Sequence, residues 1–152
     1  MQTFLPYADY NYSASVLDYK RLGKQRVEAK QIFGALERTE GGWVNHPAVT
    51  MWRSYEYSLA LYGIAICEEW IARGYNDNLL PFFYETAEYY SGFSMDDPHW
   101  LGIEQFHISH QSNLIRKDFD YYAPQFPGVL GNLEYWWPTK ECFMCAALRA
   151  VK

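Results

Sequence analysis

Residues 48–74 carry the pattern that most limits the fold. Tyr55, Leu59, Tyr62, Ile66 and Trp70 recur every three or four residues, and Gly74 follows them. That spacing sets all five side chains on one side of an α-helix, and glycine is a common helix terminator. The expectation is a helix from about Ala48 to Arg73. Its apolar stripe has to be buried against neighbouring elements.

Those neighbours are expected to be helical too, because strand signals are weak along the whole chain. After an extended "TFLPY", Ser13 is placed to cap a helix reaching Leu36. Leu22, Arg26, Ala29, Phe33 and Leu36 lie along one side of it, and Gly23 marks a bend. The stretch "TEGGWVNHP" reads as loop from its glycine pair and proline. A third helix is expected from Gly102 to about Asp118. Between them, residues 76–100 are aromatic and broken by Pro81, Gly92 and Pro98, which suits short turns or helices. The stretch "APQFPGVLGNLEYWWPTK" is irregular. The fold class is therefore mainly α: a compact single-domain helical fold with a long irregular aromatic C-terminal segment. Residues 1–138 form the domain, and 139–152 form a tail of different character. A chain of 152 residues suits one core. Six Trp and fourteen Tyr argue for a folded globule, and they also supply rings that can stack on bases.

The formal charge is −5, opposite to that of an ordinary nonspecific DNA binder. The charge is uneven, however. Residues 18–31 hold Lys20, Arg21, Lys24, Arg26 and Lys30 against Asp18 and Glu28, and so carry +3. Residues 74–115 contain six Asp or Glu and no Lys or Arg. A basic patch on an acidic body can still hold a phosphate backbone, because salt screens the distant charges first. The first residues have no basic stretch followed by a long apolar run, and no segment is apolar enough to span a membrane. A cytoplasmic protein is expected. Cys142 and Cys145 form one CxxC with no second pair to complete a zinc site. Cys67 falls in an apolar helical stretch and reads as core.

Three constellations can carry chemistry. Arg21, Lys24, Glu28 and Gln31 share one face of the first helix; the bland alternative is a solvated face with a Lys24–Glu28 pair. The second is the N-terminus. An α-amine ordinarily titrates near 8, against about 10.4 for lysine, so part of it is neutral and nucleophilic at cell pH. Such an amine can attack a sugar C1′ and form a Schiff base. A short apolar segment stiffened by Pro6 is suited to holding it still, whereas most termini fray. Third, "HISHQSNLIRKD" sets His110, Asn113 and Lys117 on one helical face, with Arg116 beside them. His107 and His110 read more simply as hydrogen-bonded structural histidines than as metal ligands. His46 is either a helix cap or a site residue, with Arg53 nearby.

Taken together, "MQTFLPY", "VLDYKRLGKQRVEA", "NHPAVTMWR", "SHQSNLIRKD" and "EYWWP" resemble the pyrimidine-dimer DNA glycosylase family, and its bacterial branch most closely. The resemblance spans roughly Met1 to Pro138. It implies a compact all-α enzyme of bacterial or phage origin that acts on double-stranded DNA with a damaged or modified base. An N-terminal amine would attack C1′, and an abasic-site lyase step would follow. Leu17, Leu22 and Phe33-Gly34-Ala35 match family positions, and Glu28 falls on the catalytic glutamate. Gln2 is too large to favour removal of the initiator, so Met1 supplies the amine; if the Met is removed, Gln2 takes that role. Val27 and Gln31 stand where the phage members carry arginines, with Arg21, Lys24 and Arg26 as replacements. The expected DNA contacts are Arg21, Lys24, Arg26, Gln31, His46, Arg53, His110, Asn113, Arg116 and Lys117. Trp43 or Tyr7 would fill the gap left by a flipped nucleotide. No metal or cofactor is expected, and the protein is expected to be a monomer. Two other readings stay open on the residues alone. One is a non-catalytic DNA-binding module on the same fold. The other is a metal-dependent hydrolase built on His46, His107 and His110.

Overall fold

A computed structural model describes residues 1–138; the tail 139–152, with Cys142 and Cys145, lies outside the described residues. The mainly α expectation holds, with seven helices and no strand among the described residues. They are α1 (Tyr10–Val16), α2 (Tyr19–Leu36), α3 (Pro47–Thr50), α4 (Glu56–Ala72), α5 (Leu80–Tyr90), α6 (Glu104–Lys117) and α7 (Phe119–Tyr122). None of them is long and apolar enough to cross a membrane. After α7 the chain is irregular to Pro138, and Tyr135, Trp136 and Trp137 pack back on the core.

The central helix is α4, with α1, α2 and α5 packed around it. Leu59, Tyr62 and Ile66 of its stripe are fully buried, and Gly74 ends the helix at φ +94°. Two glycines let these helices approach closely. A Cβ on Gly23 would lie 2.9 Å from the Trp70 ring, and one on Gly63 would run into the Phe83 ring. At Gly23 the missing side chain admits the Trp70 ring.

Two long helices of the sequence reading are each divided. Asp9 caps α1 by accepting from the Tyr12 amide, and Asp18 restarts the helix as α2 by accepting from the Arg21 amide. Ser13 caps nothing; it lies inside α1 and exchanges hydrogen bonds with the Tyr7 backbone. The expected helix from Ala48 is likewise split into α3 and α4, and Ser54 turns the corner at φ +75°. Pro81 does not break α5, because it occupies the first turn, where no amide donor is needed.

Arg26 overturns an expectation directly. Its guanidinium does not face the cavities described below. It pairs with Asp77 at 2.6 Å and lies over the Trp70 ring. Asp77 also accepts from the Leu79 and Leu80 amides, so it starts α5 while tying the loop before it to α2. The Asp77 side chain is fully covered, whereas Arg26 keeps 13% exposure. Arg26→Ala would leave that carboxylate buried without its cation. The expected cost is about 3 kcal/mol, at the low end for a broken buried pair, read as a drop in the urea midpoint with the slope unchanged.

Candidate active site

The N-terminal segment does not fray. Gln2, Thr3, Phe4, Leu5 and Pro6 are buried, and backbone groups of residues 2 and 4–7 are held by side chains from α1, α2, α4 and α6. The Leu5 peptide is clamped from both sides. His110 Nδ1 accepts from the Leu5 amide at 2.9 Å, and His107 Nδ1 meets the Leu5 carbonyl at 2.8 Å. Gln111 donates to the Pro6 carbonyl, and the Trp52 indole donates to the Thr3 hydroxyl.

This clamp assigns the two histidines. His107 Nε2 accepts from the Gly102 amide, so its proton sits on Nδ1, facing Leu5. His110 accepts at Nδ1, so its proton sits on Nε2. Burial pushes His110 down to about 3 and lowers His107 as well. His110 is completely covered, which corrects its expected role as a DNA contact. The metal-hydrolase alternative also loses its ligands, because both His107 nitrogens and His110 Nδ1 are engaged with backbone. No cluster of three potential ligands occurs among the described residues.

Buried neutral histidines have a stability consequence. Above the ordinary value of 6.5 neither the folded nor the unfolded chain protonates them. Below it, the unfolded chain takes up protons that the native state refuses, so stability falls as pH falls. Asp18 and Asp77 are held below their ordinary 3.8 by hydrogen bonds and by Arg21 and Arg26, even though burial opposes the shift. Their contribution is present above 3.8 and is lost only below it. The melting temperature is therefore expected to decline between pH 6.5 and 4 through the histidines. A flat profile over that window would show that they are not held neutral.

Gln25 is the junction between the threaded segment and α2. Its Oε1 accepts from the Phe4 amide at 2.9 Å, and the Tyr62 hydroxyl lies 2.6 Å away. Its Nε2 donates to the Gln2 carbonyl and to Glu28 Oε2, both at 2.9 Å. The amide's donors and acceptor are fully used. One carboxylate oxygen of Glu28 is thus committed to Gln25. The other, Oε1, lies 3.7 Å from the Lys24 ammonium, which is 73% exposed and holds it weakly.

Met1 and Glu28 lie together where two cavities adjoin, since both residues line both. The larger cavity, 590 Å³, is edged by Lys20, Arg21, Lys24 and Lys117, with Gln2, Phe4, His46, Tyr135 and Trp137 also facing it. The smaller, 480 Å³, is completed by Gln31, Gly34, Arg38 and Trp43. The helical face read from spacing is therefore the floor of the site: Arg21, Lys24 and Glu28 under one cavity, Glu28 and Gln31 under the other. His46 fills both roles considered for it. Its Nδ1 accepts from the Ala48 amide as the α3 cap, while its ring edges the larger cavity. Burial and then the positive charge of the N-terminal amine lower its pKa, and Met1 lines the same cavity.

Residues 1–80 match the family model described as pyrimidine dimer DNA glycosylase. The chain belongs to that family. Its activity class is thus a DNA glycosylase and its substrate is DNA. Searches of curated proteins and of solved structures return no match. The matched residues include Met1, Gln25, Glu28, Gln31 and His46, so the glycosylase family model covers the meeting point of the cavities. Lys117, Tyr135 and Trp137 lie beyond it.

Several expected DNA contacts are engaged elsewhere in this glycosylase. Asn113 is buried; it donates to the Ser109 and Leu133 carbonyls and accepts from Arg116. Arg116 also donates to the Gly131 and Leu133 carbonyls, pinning the irregular segment to α6. Arg53 is exposed on the turn between α3 and α4 and lines neither cavity. Tyr7 stacks on Tyr12 at 4.1 Å and also lines neither. Sequence reasoning missed Lys20, Gln25, Arg38, Tyr135 and Trp137 as site residues. Lys20 lay inside the basic run, and the two rings lay in "EYWWP". Nothing local marks Gln25.

Proposed function

We propose that this glycosylase excises a damaged or modified base through a Schiff base on the Met1 α-amine, then cleaves the abasic strand as a lyase, without a metal. The observation that carries the reading is the threaded N-terminal segment, anchored through Gln25 to the same carboxylate that lines both cavities. A terminus held in this way is a positioned nucleophile rather than a loose end.

In the proposed sequence the neutral amine attacks C1′, and the C1′–base bond breaks with its electrons going to the base. Glu28 Oε1, the oxygen not committed to Gln25, receives the proton released by the attacking nitrogen. The carboxylate also balances the positive charge that develops on the sugar. Returning that proton to O4′ opens the ring and leaves a protonated imine at C1′. Glu28, a carboxylate again, takes a C2′ proton; the C2′–C3′ double bond forms as the C3′–O bond breaks and the 3′ phosphate leaves, and water then hydrolyses the imine and frees the Met1 amine. Lys20, Arg21, Lys24 and Lys117 hold the flanking phosphates. The protein acts as a monomer on duplex DNA.

The deciding experiment is reduction with borohydride during incubation with an abasic-site duplex. An adduct is expected, with the label on the N-terminal peptide. Absence of an adduct would remove the Schiff base, and a label on Lys24 would move the nucleophile to the ammonium nearest Glu28.

A further inference from the structure

We propose that Gln25 is a positioning residue that sets the spacing between the Met1 amine and Glu28, and that Tyr62, buried in α4, sets the orientation of Gln25. The proposal rests on the reading that Met1 and Glu28 are the reacting groups.

Those two groups come from different parts of the fold. Met1 ends the threaded segment, and Glu28 stands on α2. One nitrogen links them. Gln25 Nε2 donates one hydrogen to the Gln2 carbonyl and the other to Glu28 Oε2, each at 2.9 Å. Gln2 adjoins Met1 in the chain, and Glu28 lies one helical turn beyond Gln25. The nucleophile strand and the carboxylate therefore hang from the two hydrogens of a single amide group.

This arrangement requires the amide to face one way round. The Phe4 N–H can only donate, and the Gln2 carbonyl can only accept. Oε1 must therefore lie on the Phe4 side and Nε2 on the Gln2 side; a flipped amide would set donor against donor and acceptor against acceptor. Tyr62 enforces the same choice. Its hydroxyl lies 2.6 Å from Gln25 Oε1 and 2.9 Å from the Phe4 carbonyl, and both are acceptors. Burial, and then the charge of Glu28, hold that hydroxyl well above its ordinary 10, so it stays a donor at neutral pH. Phe4 is thus gripped at its amide from α2 and at its carbonyl from α4. Tyr62 is fully buried and lines neither cavity, so its influence on the reaction passes through Gln25 and Phe4. An ionised glutamate at position 25 would have no hydrogen to donate, and asparagine would be one methylene short.

The test uses Gln25→Met and Tyr62→Phe, which keep the approximate shape of each side chain. Single-turnover base release from a thymine-dimer duplex, at saturating protein, is compared with gel-shift affinity. Gln25→Met is expected to release base about tenfold more slowly and Tyr62→Phe about threefold more slowly. Affinity should change by less than about twofold in either. Because Tyr62 acts through Gln25, adding Tyr62→Phe to Gln25→Met should cost less than about twofold more. In the Glu28→Gln background, Gln25→Met should cost less than about threefold, since the carboxylate it spaces is gone. Equal losses in both backgrounds, an unchanged rate, or a loss of affinity in place of rate would each overturn the proposal. A circular dichroism melt establishes that the variants are folded, and Tyr62→Phe, which removes one oxygen, keeps the test open should Gln25→Met not fold. If Glu28→Gln itself releases base at the wild-type rate, the catalytic reading fails instead. The anchoring by Gln25 is then read from hydrogen exchange at the Phe4 amide, which Gln25→Met has to quicken; unchanged exchange would overturn it.

Discussion

Glu28→Gln is expected to lower base release by about a thousandfold, within the range for loss of a positioned acid–base group, while duplex binding changes by less than about twofold. The substitution keeps the shape of the side chain, and an amide oxygen can still accept from Gln25 Nε2. What disappears is the negative charge and the oxygen that moves protons. The ion pair with Lys24 is long and exposed, so its loss should cost little stability. Gel-shift affinity and single-turnover base release separate the two effects. Equal turnover in the variant would take Glu28 out of the mechanism.

Blocking the amine is expected to have as large an effect by another route. A two-residue extension ahead of Met1 converts the α-nitrogen into an amide, which is not nucleophilic. Borohydride trapping and base release should both disappear. The extension should leave the fold intact, because Met1 is only partly buried and faces two open cavities. A circular dichroism melt in parallel establishes that point. An extended protein that still traps abasic DNA at the wild-type rate would exclude the terminus as nucleophile, and Lys24 would be examined next.

The floor of the site was legible because it is helical. Arg21, Lys24, Glu28 and Gln31 follow the helical repeat, and a repeat is a local property. The structural reading of His107 and His110 was legible for a related reason: a single pair of histidines without a carboxylate is poor metal chemistry. What escaped depends on partners remote in the chain. Arg26 stands in the same basic run as Lys24, and only Asp77, 51 residues away, turns it from the cavity. His110 and Asn113 sit on the expected helical face, but that face is covered by the N-terminal segment and by Leu133. Gln25 is unremarkable in sequence and becomes central only when Gln2, Phe4, Tyr62 and Glu28 converge on it. The break at Ser54 was hidden because apolar periodicity continues across it.

The clamp on Leu5 also sets an order of events during synthesis. The partners that hold residues 5 and 6 are His107, His110 and Gln111, more than 100 residues downstream. Contacts of such sequence separation form late, after the intervening chain has closed its loop. On a ribosome, Met1 emerges first but has no α6 to dock against until that helix has been made. On the proposed mechanism, the amine at Met1 becomes a positioned nucleophile only once the chain through α6 is present. Activity is then expected to appear with the finished fold rather than with the N-terminal helices alone.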